Sequence, residues 1–269
     1  MGNPSLPSSL AESVRAEFGR ALRAPYEVPS VVFGNGLLMT ACWTLLPASV
    51  VAWVFTLHGP VAFALVLASW MYSDVPATNL LGADPERTIA ALGDRRMLRR
   101  MWYGKNLVLW AFITPLCTVV AVAIGIHDKS VTLALLSLVW IAVVPLGALG
   151  FSAWLGVWYP YHQLPLRYRW DNRRRWWTMV VRWLVLVLAP YGLVPALTVV
   201  LTVPTLVLWT AQAPGGDRGR LSDVQVAWGL AIAVPVALVA WFGGHWLGAR
   251  LAGRRRAKLE AFLADPNRG

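Results

Sequence analysis

Residues 106 to 126 read NLVLWAFITPLCTVVAVAIGI, an uncharged run with Lys105 before it and His127, Asp128 and Lys129 after it. A bilayer core about 30 Å thick takes about 20 residues of helix, and a helix satisfies its own backbone there. This stretch therefore reads as a transmembrane helix. The same window, moved along the chain, places spans at 37–57, 60–80, 106–126, 131–157, 177–211 and 224–248. In the second, the apolar run from Val61 to Tyr72 stops at Ser73 and Asp74, so its lower third is expected to face protein or water. The fifth is long enough for two helices, but Pro190, Gly192, Pro195 and Pro204 interrupt it. One crossing followed by a broken or re-entrant return on the outer side is expected, tolerated where the irregular backbone is buried in protein.

Composition agrees with this reading. Of 269 residues, 57% are hydrophobic and 14% charged, with a mean hydropathy of +0.55, where an ordinary soluble domain has about 25% charged residues. The net charge of +11 would suggest nucleic acid in a soluble protein, but the basic residues lie in clusters between the apolar runs. Segments 1–36, 81–106, 158–183 and 249–269 hold 21 of the 24 lysines and arginines, and the alternate connections hold only Lys129, Arg218 and Arg220. The positive-inside rule puts the rich set in the cytoplasm. The fold class is then an all-α integral membrane protein of six spans in the bacterial inner membrane, with both termini cytoplasmic. It divides into a cytoplasmic N-terminus (1–36), a transmembrane domain (37–248) with an inner loop at 81–105, and a basic tail (249–269). The first 30 residues show no apolar segment followed by a small-residue cleavage site, so no removable leader is expected.

Leu10, Val14, Phe18 and Leu22 recur every fourth residue, with Glu12, Arg15, Glu17, Arg20 and Arg23 between them. That pattern predicts an amphipathic helix on the cytoplasmic membrane surface. The alternative is a solvated helix packed on a neighbour.

The inner loop, NLLGADPERTIAALGDRRMLRRMWYGKNL at 79–107, carries helix signals of its own. Gly82 allows a tight turn, Asp84 is a fair N-cap, and Pro85 and Glu86 suit the first helical turn. A short helix over 85–92 is predicted, ended by Gly93 and Asp94. A second basic stretch, 95–100, then leads to Trp102 and Tyr103, expected at the membrane interface, ahead of the third span. A plain solvated basic loop is the competing account.

Asn79 and Gly82 at the foot of span two, Asp84, the short helix, the basic stretch and Gly104-Lys105 opening span three together resemble the membrane subunits of type-2 ATP-binding cassette exporters. Leu155-Gly156-Val157-Trp158-Tyr159-Pro160, after span four, is similar to a second family segment that ends in Pro. The resemblance runs over nearly the whole chain. It departs at Gly93-Asp94, where many members have Pro, and at Gly156, where they have Ser. It implies that the loop helix fits a cleft on a separate ATPase subunit, with Asp84, Glu86, Arg87, Asp94, Arg95 and Arg96 as the docking face. It also implies a dimer, with itself or a similar subunit, and a substrate path through the dimer interface. No Gly-x4-Gly-Lys-Ser/Thr loop is present, so ATP and Mg would be held by the partner. This chain is expected to hold no cofactor and no metal.

Other chemistry finds little footing. His58, His127, His162 and His245 are scattered, with no His-Glu-x-x-His and no nucleophile elbow. His245 is the best placed of them and reads as structural. Cys42 and Cys117 lie in apolar stretches without metal-ligand spacing. The segment Trp170–Trp183, with Arg173, Arg174 and Arg175, would suit stacking on nucleic acid, but at a span entrance it reads as headgroup arginines and an aromatic belt. Lipid, not nucleic acid, is the expected contact. The reading from another class is a non-transporting membrane scaffold or assembly subunit. A lipid-acting enzyme is disfavoured, since no span carries paired acids or a nucleophile with its base.

Overall fold

The computed structural model describes residues 6–23, 26–47, 70–72, 75–127, 131–162, 166–171, 180–182, 184–186 and 223–266, with isolated positions at 49, 129, 164, 177 and 188. Every element among them is a helix. They are α1 (Leu10–Ala21), α2 (Glu27–Leu45), α3 (Val75–Thr78), α4 (Pro85–Ala91), α5 (Arg95–His127), α6 (Val131–Trp158), α7 (Leu166–Asp171), α8 (Asp223–Arg254) and α9 (Arg256–Leu263). Three segments are long and apolar enough to cross a membrane: Arg95–His127, Ser137–Trp158 and Ala227–Arg254. Most of the second predicted span, and the proline-broken part of the fifth, lie outside the described residues.

α6 is the central helix. In its most apolar stretch 65% is buried, against 29% in α5 and 33% in α8, both of which pack on it. Small residues bring α6 and α8 together: a Cβ on Gly150 would run into the Ala240 carbonyl oxygen, and one on Gly147 would stand 2.8 Å from the Ala237 Cα. Such close approach is how apolar helices gain van der Waals contact where lipid competes equally for every larger side chain. α5 meets α6 through packed aliphatics and through Trp110, whose Nε1 donates to the Ala142 carbonyl at 3.0 Å.

Three boundaries differ from the sequence reading. The first long helix begins at Glu27, ten residues before the predicted span, because Gly34, Asn35 and Gly36 dilute the apolar window without interrupting the helix. The basic stretch 95–100 and the third span form one continuous helix, α5, rather than an interfacial piece followed by a span. Trp102 is correspondingly buried, 1% exposed, with its ring 6.1 Å from that of His245. The last long helix runs on to Arg254, six residues past its predicted end.

α1 lies along α5. Ser9 caps it, accepting from the Glu12 N–H at 3.2 Å. The face that docks is centred on polar and small positions rather than on the apolar stripe. Ser13, Glu17 and Ala21 are buried, while Leu10, Phe18 and Leu22 are 40%, 40% and 48% exposed. Ser13 fits because Gly104 lies beneath it on α5, and its Oγ donates to the Arg100 carbonyl at 3.1 Å. The apolar stripe is divided: Val14 packs against the core and Phe18 stacks on Phe112 of α5 at 5.5 Å, while Leu10 and Leu22 stay outward, where an interfacial helix would meet lipid.

Candidate functional site

The loop between α3 and α5 is built by local rules. Asp84 caps α4, its carboxylate accepting from the Arg87 N–H, and Pro85 occupies the first turn, where a missing N–H costs nothing. Thr88 is fully buried and donates to the Leu81 carbonyl at 2.9 Å, fastening α4 to the turn before it. The helix ends at Ala91 with Leu92 as its C-cap. Asp94 opens α5, its Oδ1 accepting from the Arg96 N–H at 2.7 Å and the Met97 N–H at 3.3 Å.

The residues singled out in two separate segments of sequence meet here. Asn79 is buried and its Oδ1 accepts from the Gly82 N–H at 3.1 Å, closing a tight turn. Lys105, 4% exposed, reaches back from α5 and donates from Nζ to the Leu80 carbonyl at 2.6 Å. A Cβ on Gly82 would run into the Tyr161 carbonyl oxygen, so no side chain is admitted there. One on Gly156 would fall 2.7 Å from the Thr78 carbonyl oxygen. Pro160, buried, accepts at its carbonyl from Arg182 Nη1 at 3.2 Å. The turn at 79–82, the start of α5 and the end of α6 therefore form one knot.

The six residues of the expected docking face divide. Glu86, Asp94, Arg95 and Arg96 are exposed, although the Asp94 carboxylate is occupied as a cap. Asp84 is committed to capping. Arg87 turns inward, its Nη1 3.4 Å from Asp84 and 3.5 Å from Glu17 of α1. Of these six, the outward side chains not committed to a cap are Glu86, Arg95 and Arg96.

Sequence reasoning missed the neighbours of this loop. α9, read only as part of a basic tail, packs on α4 and buries Leu259, Phe262 and Leu263 in the same apolar cluster as Leu81, Ala91, Leu98 and Trp102. The Arg256 guanidinium lies over Gly93. His162 is buried, stacked on Phe262 at 4.8 Å, with Nε2 2.8 Å from the Phe262 carbonyl. A carbonyl only accepts, so Nε2 carries the proton. Arg255 donates to the Val157 carbonyl at 2.9 Å and lies over the Trp158 ring. The leucine and phenylalanine spacing in 256–263 was the available signal for a packed helix rather than a free tail.

His245, the best placed of the four histidines in the sequence, lies at the contact of α8 with α5. It is fully buried, with Nδ1 2.7 Å from the Trp241 carbonyl and Nε2 3.0 Å from Asn106 Nδ2. The first contact requires Nδ1–H and the second an acceptor, which fixes one neutral tautomer. The described residues hold no group of three or more His, Cys, Asp or Glu able to bind a metal ion. No protein-family model, curated protein or solved structure matches this chain.

Proposed function

We propose that this chain is the permease subunit of an ATP-binding cassette exporter: six spans, both termini in the cytoplasm of a bacterial cell, paired with itself or a similar subunit. Its loop helix α4 docks on a separate ATPase, which holds ATP and Mg. The observation that carries the reading is the knot around 79–84. A short capped helix lies at the basic end of the bundle, fixed to α5 through Lys105 and to the end of α6 through Gly82 and Tyr161. A force applied to such a helix is passed into two long apolar helices instead of being lost in a loop. Its exposed arginines, Arg95 and Arg96, suit an acidic partner surface.

The test is to co-purify the chain with the ATPase encoded beside it, then repeat with Arg95→Glu/Arg96→Glu. Like charges placed opposite each other cost several kcal/mol, so complex formation should fall by at least about tenfold. Arg87 is left in place, because it is bound to Glu17 and Asp84 rather than turned outward. A cysteine at Asp94 should resist an impermeant thiol reagent in intact cells of both forms, while one at Gly216 reacts; this guards against an inverted topology. A complex unchanged by the double substitution would remove the loop from coupling. The lack of any ATPase partner would favour the scaffold.

A further inference from the structure

Glu17 stands on the wrong side of its helix by any rule of amphipathicity. It is 1% exposed, while Leu10 and Phe18 on the same helix are each 40% exposed. Burying a carboxylate costs several kcal/mol unless cations and hydrogen bonds meet it. Here they do. Arg20 on α1 donates from Nε to Glu17 Oε2 at 2.9 Å, with its Nη2 at 2.8 Å. Arg87 of α4 brings Nη1 to 3.5 Å from Oε1, an atom with no hydrogen-bond partner among the described residues. Lys105 of α5 lines the same cavity of about 20 Å³ beside Glu17 and Arg20, room for about one water molecule. Three cations from three elements thus surround one acid.

We propose that Glu17 is the positioning residue that locks the surface helix α1 to the loop helix α4, so that the two open and close as one unit. The link is short. Glu17 holds Arg87, Arg87 holds Asp84, and Asp84 is the cap on which the first turn of α4 depends. At its other end α1 is seated on α5 by Ser13 and Gly104. Without Glu17, Arg20 and Lys105 face each other with no carboxylate between them, and Arg87 keeps only Asp84. A movement of the loop is therefore carried to α1, and so to the surface where its outward leucines lie. The lock is a property of this chain alone and stands whether or not an ATPase docks.

Amide hydrogen exchange on the full chain in detergent tests it, following peptides from 8–23 and 79–94, with 137–158 as an internal reference. Glu17→Gln should speed exchange in both α1 and α4 by about tenfold or more, the loss expected for one charge-assisted contact. Arg87→Gln should do the same, and its effect on α1 is the decisive one, because a merely local loss at the α4 cap would leave α1 protected. The double variant should fall clearly short of the product of the two single effects, since both remove the Glu17–Arg87 contact while each also removes one of its own, Glu17–Arg20 or Arg87–Asp84. The reference peptide should not change. If Glu17→Gln does not fold, Arg87→Gln carries the test alone, since that side chain is already partly exposed. Exchange that rises only in the substituted helix, staying within about twofold in the other, overturns the lock. So does a double variant whose effect is the product of the two.

Discussion

Gly150 and Gly82 are both places where another backbone stands where a Cβ would be, yet the contacts around them are held by different means. At Gly150, α6 meets α8 through Gly147, Ala237, Ala240 and Gly244, and the contact rests on shape. At Gly82 the same closeness is surrounded by side chains that donate to backbone carbonyls: Lys105 to Leu80, Thr88 to Leu81, Arg182 to Pro160, Arg255 to Val157. The middle of the bundle is thus sensitive to added volume, and its basic end to lost donors. The first kind of contact fails as a whole, because two helices separate together. The second fails in steps, because each bond is one of several.

The largest effect should follow from breaking the first kind. Gly150→Leu drives a side chain into the Ala240 carbonyl oxygen, and should cost about 3 kcal/mol or more as overpacking without room to relax. Gly243→Leu is the control: it is next to Gly244 in the same helix, but its Cβ meets nothing within 4 Å. It should stay within about 0.5 kcal/mol of the parent. Thermal unfolding in detergent should therefore separate two glycines that composition treats alike. Equal midpoints would mean that α6 and α8 do not depend on this contact.

The same contrast marks what could be read from the sequence. Asp84, Pro85 and the three long apolar helices were legible because caps and apolar length act over a few residues. Asn79, Gly82 and Lys105 were singled out, but not what they touch, since Tyr161 lies in another segment. The contact of His162 with Phe262 joins residues 100 apart, which no local pattern encodes. Glu17 was hidden for a different reason. Periodicity finds the apolar stripe of α1 and, in a soluble protein, that stripe would be the docking face. Here Leu10 and Leu22 of that stripe stay outward and the polar positions Ser13 and Glu17 became the interior, which the alternation of apolar and charged residues does not announce.

A smaller effect is expected at the basic end. Lys105→Met keeps an apolar stem of similar length but leaves the Leu80 carbonyl without its donor. An unpaired buried acceptor costs about 1–3 kcal/mol, less than the loss at Gly150, because Asn79 and Thr88 still hold the turn. Thermal unfolding should show a midpoint between those of the parent and Gly150→Leu, and limited proteolysis should cut faster after Arg87. Parent-like stability would show that the Leu80 carbonyl finds another donor, and the stepwise account of this end would then lack its central bond.

The smallest effect belongs to the start of α1, where the polar bonds are exposed to water. Glu12 Oε2 accepts from the Ser8 N–H at 2.6 Å and from Ser8 Oγ at 2.8 Å, while Ser9 accepts from the Glu12 N–H. The Ser8 hydroxyl first, and its N–H second, hold the Glu12 carboxyl below its ordinary value of 4.5. A group whose pKa is depressed by folding stabilises the folded form above the unfolded pKa and loses that contribution as pH falls through the folded one. The first turn of α1 should therefore fray as the medium is acidified from about pH 5 downward, in the range where unperturbed glutamate titrates. Because the carboxylate is fully exposed, water and salt screen the contact, and the fraying should stay confined to residues 8–12. Amide exchange between pH 6 and pH 3.5, corrected for the intrinsic pH dependence of exchange, would show it. Glu12→Gln should remove the pH dependence and leave the turn uniformly less protected. A pH-dependent loss of protection that survives Glu12→Gln, or that spreads to Ser13 and Glu17, would move the titrating group to the buried side of the helix.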